Sequence, residues 1–436
     1  MIEEQGEPLG YADIFRFWLP LGFMWMIMAI EQPAITAAIA RLEDAERHLA
    51  AFGVTMSLAL VIESPILQML SAATALAKSK VAYLDLLRFM HLLALVLTAF
   101  HLSLAATPLG RIVFEHLLGV PPEVVEFTKA PLIIMTPFTA AVGYRRLWQG
   151  VLIRNGKTKA IALTTVIRLG ATAIVLVAGL RRRSLTGSSL AALAITVGVL
   201  VGAIISYVYF RIWVRDSMAE GDGDASRATS IRTLLSFYIP LAMTSSIYLL
   251  GRPIVTYGIA RSENALRSLA IWPVLNGFLF LFNSLAISLQ EVVIALLERN
   301  PTNRKRIANF TAALAVSLTA LFFASIGAPV RNFWFAKING LPEYLVDLTR
   351  WPLLVLALVP AIFTLKSWYR GQYVIDKRTG TLTSGVTLYT IVLLVCVLVV
   401  PSIVRGTGAL LAATFLLFAQ LAENLYLRMR LKRSRR

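Results

Sequence analysis

Ionisable side chains interrupt several of the long apolar stretches in this 436-residue sequence, and the chemistry of the chain must lie with them. Glu31-Gln32-Pro33 and Gly251-Arg252-Pro253 each sit inside such a stretch. A proline within a helix removes a backbone hydrogen bond and frees the carbonyl four residues earlier, here near Ala29. A carboxylate beside a freed carbonyl suits a proton or Na⁺. Glu31, with Pro33 at the kink, is therefore expected to couple or gate, and Gln32 to face the same space. Arg252, beside Pro253, offers a planar fork for a carboxylate or phosphate. Glu63, in Ile62-Glu63-Ser64-Pro65, is a second coupling or gating candidate, and Arg145, Arg146 and Lys366 are further cations for an anionic substrate. Each also has a structural reading. A buried Glu can serve packing, Arg252 can neutralise Glu31 or Glu63, and Arg145, Arg146 and Lys366 can snorkel to an interface. Arg168 and Glu291 are weaker candidates. His91 and His101 read as satisfied interior or interfacial histidines, and Asn283 and Glu423 as interhelical hydrogen-bonding groups.

Such charges need elements that span a bilayer. The sequence is 57% hydrophobic and 15% charged, with a mean hydropathy of +0.71. A soluble domain has roughly 45–50% apolar and about 25% charged residues. Soluble enzymes, disulfide-framed secreted proteins and disordered chains are thereby excluded. Counted against a template of about 20 residues, apolar segments lie near 14–40, 48–76, 83–106, 124–152, 158–180 and 188–213. A second set lies near 232–260, 264–298, 303–327, 343–371, 379–401 and 406–428. The acidic first ten residues and the long first apolar segment predict no cleavable signal peptide.

The two sets are related. Phe17-Trp18-Leu19-Pro20-Leu21-Gly22 lies over Phe237-Tyr238-Ile239-Pro240-Leu241-Ala242, and Pro33, Thr36 and Arg41 over Pro253, Thr256 and Arg261, without a gap. Pro131, Arg145 and Gly150 likewise lie over Pro352, Lys366 and Gly371. Matched prolines, glycines and charges in one register are not chance apolar matching. The expected organisation is an N-terminal six-helix lobe at 1–214, a cytoplasmic linker at 215–231, and a C-terminal lobe at 232–436 ending in a basic tail. An even number of spans per repeat makes the repeats parallel, with substrate expected between the lobes near the midplane. Lys and Arg concentrate in the loops after even-numbered spans and in the tail, which places both termini in the cytoplasm. Arg181-Arg182-Arg183 runs against that bias.

The net charge of +18 reads as positive-inside topology and anionic-lipid contact rather than as a nucleic-acid surface. The single Cys396 is expected as a small buried apolar residue. No HExxH, P-loop or GxSxG signature is present, so no enzyme and no cofactor is expected beyond a coupling ion, H⁺ or Na⁺.

Phe17 to Gly22, Glu31-Gln32, the stretch from Ala50 to Pro65, and Ile231 to Ala242 resemble the progressive ankylosis protein family. Gly251-Arg252-Pro253-Ile254-Val255 with Arg261, and Asp376-Lys377-Arg378-Thr379, extend the resemblance. That family belongs to the multidrug/oligosaccharidyl-lipid/polysaccharide (MOP) exporter superfamily and is related to the MATE transporters. The resemblance implies an all-α, MATE-like fold of twelve transmembrane helices in two lobes. It also implies export of pyrophosphate, nucleotide or citrate-like anions by alternating access. The long polar tail typical of animal members is not in this sequence, which points to a shortened prokaryotic member with its own substrate. A cation or drug exporter of the same architecture, coupled to H⁺ or Na⁺, and a lipid-linked precursor flippase are the alternatives. The expected setting is the inner (plasma) membrane. The expected partners are a small anionic molecule and membrane lipids, with no nucleic acid, and the expected state is a monomer.

Overall fold

The computed structural model describes residues 9–215, 231–376, 378–400 and 406–433. Among them the chain is helical throughout, apart from an isolated bridge between Glu263 and Thr407. Helices α1 (Tyr11–Ala29) and α2 (Glu31–Ile39) form the first span, and α3 (Ala45–Glu63) with α4 (Met69–Leu76) the second. Then follow α5 (Lys80–Ala106), α6 (Thr136–Arg154), α7 (Thr158–Arg182), α8 (Gly187–Trp213) and α9 (Ile231–Ala260). The rest is α10 (Ala265–Arg299), α11 (Arg304–Ala324), α12 (Val359–Ile375), α13 (Thr379–Val399) and α14 (Gly408–Arg433).

Ten of these segments are single spans by length and hydropathy, and Glu343–Leu356 with Val359–Ile375 forms an eleventh bent by 40°. The remaining expected span is assembled from short helices between Pro122 and Ile134, followed by α6. It carries Arg145, Arg146 and Arg154, which lower its hydropathy. The chain is a multi-pass membrane protein. Residues 216–230, most of the expected linker, and the tail beyond Arg433 lie outside the described residues.

The repeat is visible in the backbone. Asp44 and Asn264 both adopt left-handed conformations, with φ of 50° and 54°. Gly119 and Gly340 do the same, with φ of 69° and 72°, and each follows a π-helical turn, Ile112–Leu117 and Phe333–Ile338. Thr36 donates to the carbonyl of Gln32 and Thr256 to that of Arg252, each at 3.2 Å. Gln32 and Arg252 are thus equivalent in structure as in sequence.

The compact units do not follow the sequence halves. One comprises Ala38–Arg261 with Ala265–Ala270. The other comprises Met1–Ala37, Ser262–Asn264 and Ile271–Arg436. This grouping differs from the expected partition at 1–214 and 232–436 in where it puts the first and seventh spans. Side-chain chemistry explains both exchanges. Ile14 and Trp18 of α1 are buried with Leu289, Val293, Leu314 and Trp368, and Trp18 Nε1 donates to the carbonyl of Leu285 at 3.2 Å. Burying two such side chains is worth several kcal/mol, at roughly 1.5–3 kcal/mol each. In the other unit α9 bonds to the break after α3. Tyr238 donates to the carbonyl of Pro65 at 2.7 Å, Ser246 and Ser64 share a hydrogen bond of 2.8 Å, and Gln68 Nε2 donates to Ser245 Oγ.

Candidate functional site

In the unit that contains α3 to α9, three spans bring cations into the neighbourhood of one carboxylate. Glu63 is the last residue of α3. Pro65 stops the helix there, and the chain turns through Ser64 and a 3₁₀ segment, Ile66–Gln68, before α4 resumes. The side chain is 5% exposed, and its Oε2 has no hydrogen-bond partner among the described residues. Arg146, Arg145 and Arg252 all lie within electrostatic range of it. Arg146 also lies within range of Arg168 of α7. Arg168 is 6% exposed.

The elements explain why these side chains meet. Gly202 on α8 leaves room for two of them. A Cβ there would lie 3.2 Å from Arg145 Cδ and 3.4 Å from Arg168 Cγ and Cδ. Gly198, one turn earlier, admits Thr172, whose Oγ1 would lie 2.2 Å from an added Cβ. The Thr172 hydroxyl donates to the carbonyl of Arg168. The glycines of α8 thus set the distance at which α7 and α6 deliver their guanidinium groups. Arg252 is on α9, an exposed residue of a helix that runs unbroken through both Pro240 and Pro253. Pro253 therefore does not interrupt its span as the sequence led one to expect.

A guanidinium group is always charged and presents donors in a fixed fork. Three of them within range of one carboxylate, with a fourth beside Arg146, put several positive charges next to a single negative one, at a cost in mutual repulsion. A second, exchangeable anion would lower that cost. This arrangement can bind a carboxylate or a phosphate with parallel hydrogen bonds.

The other unit holds the remaining expected site residues. Glu31 and Gln32 are partly buried and Pro33 is buried. The first span breaks at Ile30, whose N–H reaches the Met26 carbonyl while Ala34 reaches that of Ile30. The carbonyl of Ala29 is the one that Pro33 cannot serve, as anticipated. Gln32 lies against α10, where a Cβ on Gly277 would come 3.2 Å from its Cγ. Lys366 departs from expectation. It is 1% exposed. Its Nζ donates to Gln420 at 2.7 Å and to Glu423 Oε2 at 3.2 Å. Arg370 bonds the other oxygen of Glu423 at 3.3 Å. Two of its three donors are thus engaged and the side chain is enclosed, so Lys366 sits in a buried ion-paired staple rather than on a surface open to an anion.

Of the weaker candidates, His101 is buried with Nε2 3.1 Å from the Leu132 carbonyl, while its Nδ1 has no hydrogen-bond partner among the described residues, so it is only half satisfied. His91 is exposed and bonds Tyr144 OH at 2.6 Å. Trp25 Nε1 donates to Glu291 at 3.4 Å. Cys396 is half-buried rather than buried. Sequence reasoning missed an aromatic cavity of about 460 Å³ between α5, α6 and α8. Its signal was present as spacing. Lys80, Leu84, Leu87 and His91 recur at i, i+4, i+7 and i+11, and Tyr144 and Trp148 at i, i+4, which puts each set on one helix face. No group of three or more His, Cys, Asp or Glu residues that could hold a metal ion occurs among the described residues.

The family described as progressive ankylosis protein (ANKH) matches residues 4–321. Among solved structures, the chain resembles an inward-facing multidrug resistance MATE family transporter of the MOP superfamily. The identity is 14% over 95% of this chain and 97% of that one, with a TM-score of 0.68. The lipid II flippase MurJ, in an inward closed conformation, aligns at 14% identity over 96% of this chain and 87% of that one, with a TM-score of 0.74. A MOP superfamily transporter from Pyrococcus furiosus, described by a reversed polarity of its binding pocket, aligns at 14% identity over 99% and 98%, with a TM-score of 0.55. At these identities the likeness shows the fold, which all three share.

Proposed function

Because the chain belongs to the progressive ankylosis protein family, we propose that it is a secondary active transporter, an exporter, of a small organic or phosphate-bearing anion, working by alternating access. The observation that carries this reading is the convergence of Arg145, Arg146 and Arg252 on Glu63, with Arg168 within range of Arg146. In this reading Arg146, Arg145 and Arg252 hold the anion, and Arg168 adds positive potential behind them.

Glu63 competes for the same guanidinium groups. When it is charged it satisfies part of their demand, and when it is protonated that demand passes to the substrate. A group that a proton switches between these two roles couples anion binding to H⁺. Glu31, at the broken first span of the other unit, is proposed as a second coupling group for H⁺ or Na⁺, with Gln32 beside it and Pro33 as a hinge.

Counterflow in proteoliposomes tests the reading. Pyrophosphate, a nucleoside phosphate or citrate inside the vesicles should accelerate uptake of the labelled anion, and cationic drugs should not. Acceleration by cationic drugs alone would replace the anion reading with a multidrug one.

A further inference from the structure

The aromatic cavity is distinct from the cluster around Glu63. Tyr83 and Phe210 face each other with centroids 4.9 Å apart, and Trp148 and Tyr207 at 4.8 Å. Trp148 Nε1 donates to Tyr83 OH at 3.2 Å, and Tyr144 stacks on Trp148 at 5.7 Å. At one end stand Lys80 and Arg215, both exposed, and none of the lining residues is acidic.

Those two cations sit at helix ends. Lys80 is the first residue of α5 and Arg215 follows the last turn of α8. In a membrane this is the level of the lipid phosphates. Eleven residues separate Lys80 from His91 at the other end of the wall, about 16 Å at 1.5 Å per residue. That is about half of a ~30 Å hydrocarbon core, the depth of one leaflet. The flanks of the cavity also face outward. Leu84 is 40% and Tyr207 38% exposed, and Ile204, Val208 and Ile212 continue an exposed aliphatic face along α8. A cation pair at headgroup level, above an apolar wall one leaflet deep and beside a lipid-facing surface, complements one kind of molecule.

We propose that this cavity binds an anionic phospholipid, with its phosphate between Lys80 and Arg215 and an acyl chain along Leu84, Leu87 and Trp148. The aromatic rings supply rigid apolar area at little entropic cost, and the two cations select for negative headgroups. A soluble aryl phosphate would share the phosphate contact and the stacking. It would have no use for a wall one leaflet deep.

The test is quenching of Trp148 by phospholipids brominated near the middle of the acyl chain, with the full chain in mixed vesicles. The Trp148 signal is the difference between wild type and Trp148→Phe. Brominated phosphatidylglycerol should quench it at about a tenth of the mole fraction that brominated phosphatidylcholine requires, given two cations near the headgroup. Lys80→Gln and Arg215→Gln should each lose part of that preference, and the double variant all of it. Equal quenching by both lipids in wild type would overturn the proposal, as would an undiminished preference in the double variant. Relief of quenching by micromolar phenyl phosphate would assign the cavity to a soluble aryl phosphate and overturn it equally.

Discussion

The two charge clusters, each around a buried carboxylate, are built to opposite ends. Around Glu423 the account is closed. Each carboxylate oxygen takes one cation, Lys366 at 3.2 Å and Arg370 at 3.3 Å, and Gln420 Oε1 accepts a further hydrogen bond from Lys366 at 2.7 Å. Around Glu63 more guanidinium groups gather, yet Oε2 has no hydrogen-bond partner among the described residues. The positions are repeat images in part. Arg145 corresponds to Lys366, and Gly202 to Glu423. Where one repeat places a carboxylate on its last span, the other places a glycine, and the second arginine enters the space instead. The first cluster is a staple, and the second gathers several cations around a carboxylate whose Oε2 no described residue bonds.

Breaking the staple should have the largest effect. Glu423→Gln leaves Lys366 and Arg370 buried beside a neutral amide, so unfolding in detergent should show a loss of about 3–5 kcal/mol. Lys366→Met/Glu423→Gln should recover much of it. Glu63→Gln should cost far less, about 1 kcal/mol, because Arg145 and Arg146 are half-buried and Arg252 is exposed, so water can take up the charge left behind. A loss at Glu63 as large as at Glu423 would erase the distinction between the clusters.

Next in size is the effect of Glu63→Gln on binding. The amide removes the competing charge, so anion affinity should rise about tenfold at neutral pH, the equivalent of roughly 1.4 kcal/mol. Wild-type affinity should rise as pH falls, because protonating Glu63 does the same thing, whereas the variant should lose that slope. Titration calorimetry at two pH values reads both. Arg252→Lys keeps the charge and loses the fork, and at about 0.5–1.5 kcal/mol for one hydrogen bond the anion should bind roughly 2- to 12-fold more weakly. Gly202→Ala should act least. Its Cβ would press on Arg145 Cδ at 3.2 Å, and a flexible side chain can yield, so a shift of up to about threefold in affinity is expected, under ~0.7 kcal/mol.

Much of this was legible in the sequence. Each apolar segment became a helix or a broken helix pair because backbone groups within a bilayer must bond internally. The prolines at 33 and 65 marked the breaks, and Glu63, Arg145, Arg146 and Arg252 were all singled out by charge. The pairing of Lys366 with Glu423, 57 positions away, was not legible, since it depends on which faces of α12 and α14 meet. The exchange of α1 and α9 between units was hidden for the same reason. Trp18 and Tyr238 occupy one position in the repeat, yet each finds its carbonyl in the span set of the other half, at Leu285 and Pro65.

The central claim is that the cations around Glu63 bind an anion. Calorimetric titration of pyrophosphate and citrate into wild type and Arg146→Ala, each shown to be folded by thermal unfolding, tests it most directly. One lost charge-assisted contact, at about 1.5–3 kcal/mol, predicts roughly 10- to 150-fold weaker binding of the preferred anion in the variant. Equal affinity in the two proteins would contradict the claim.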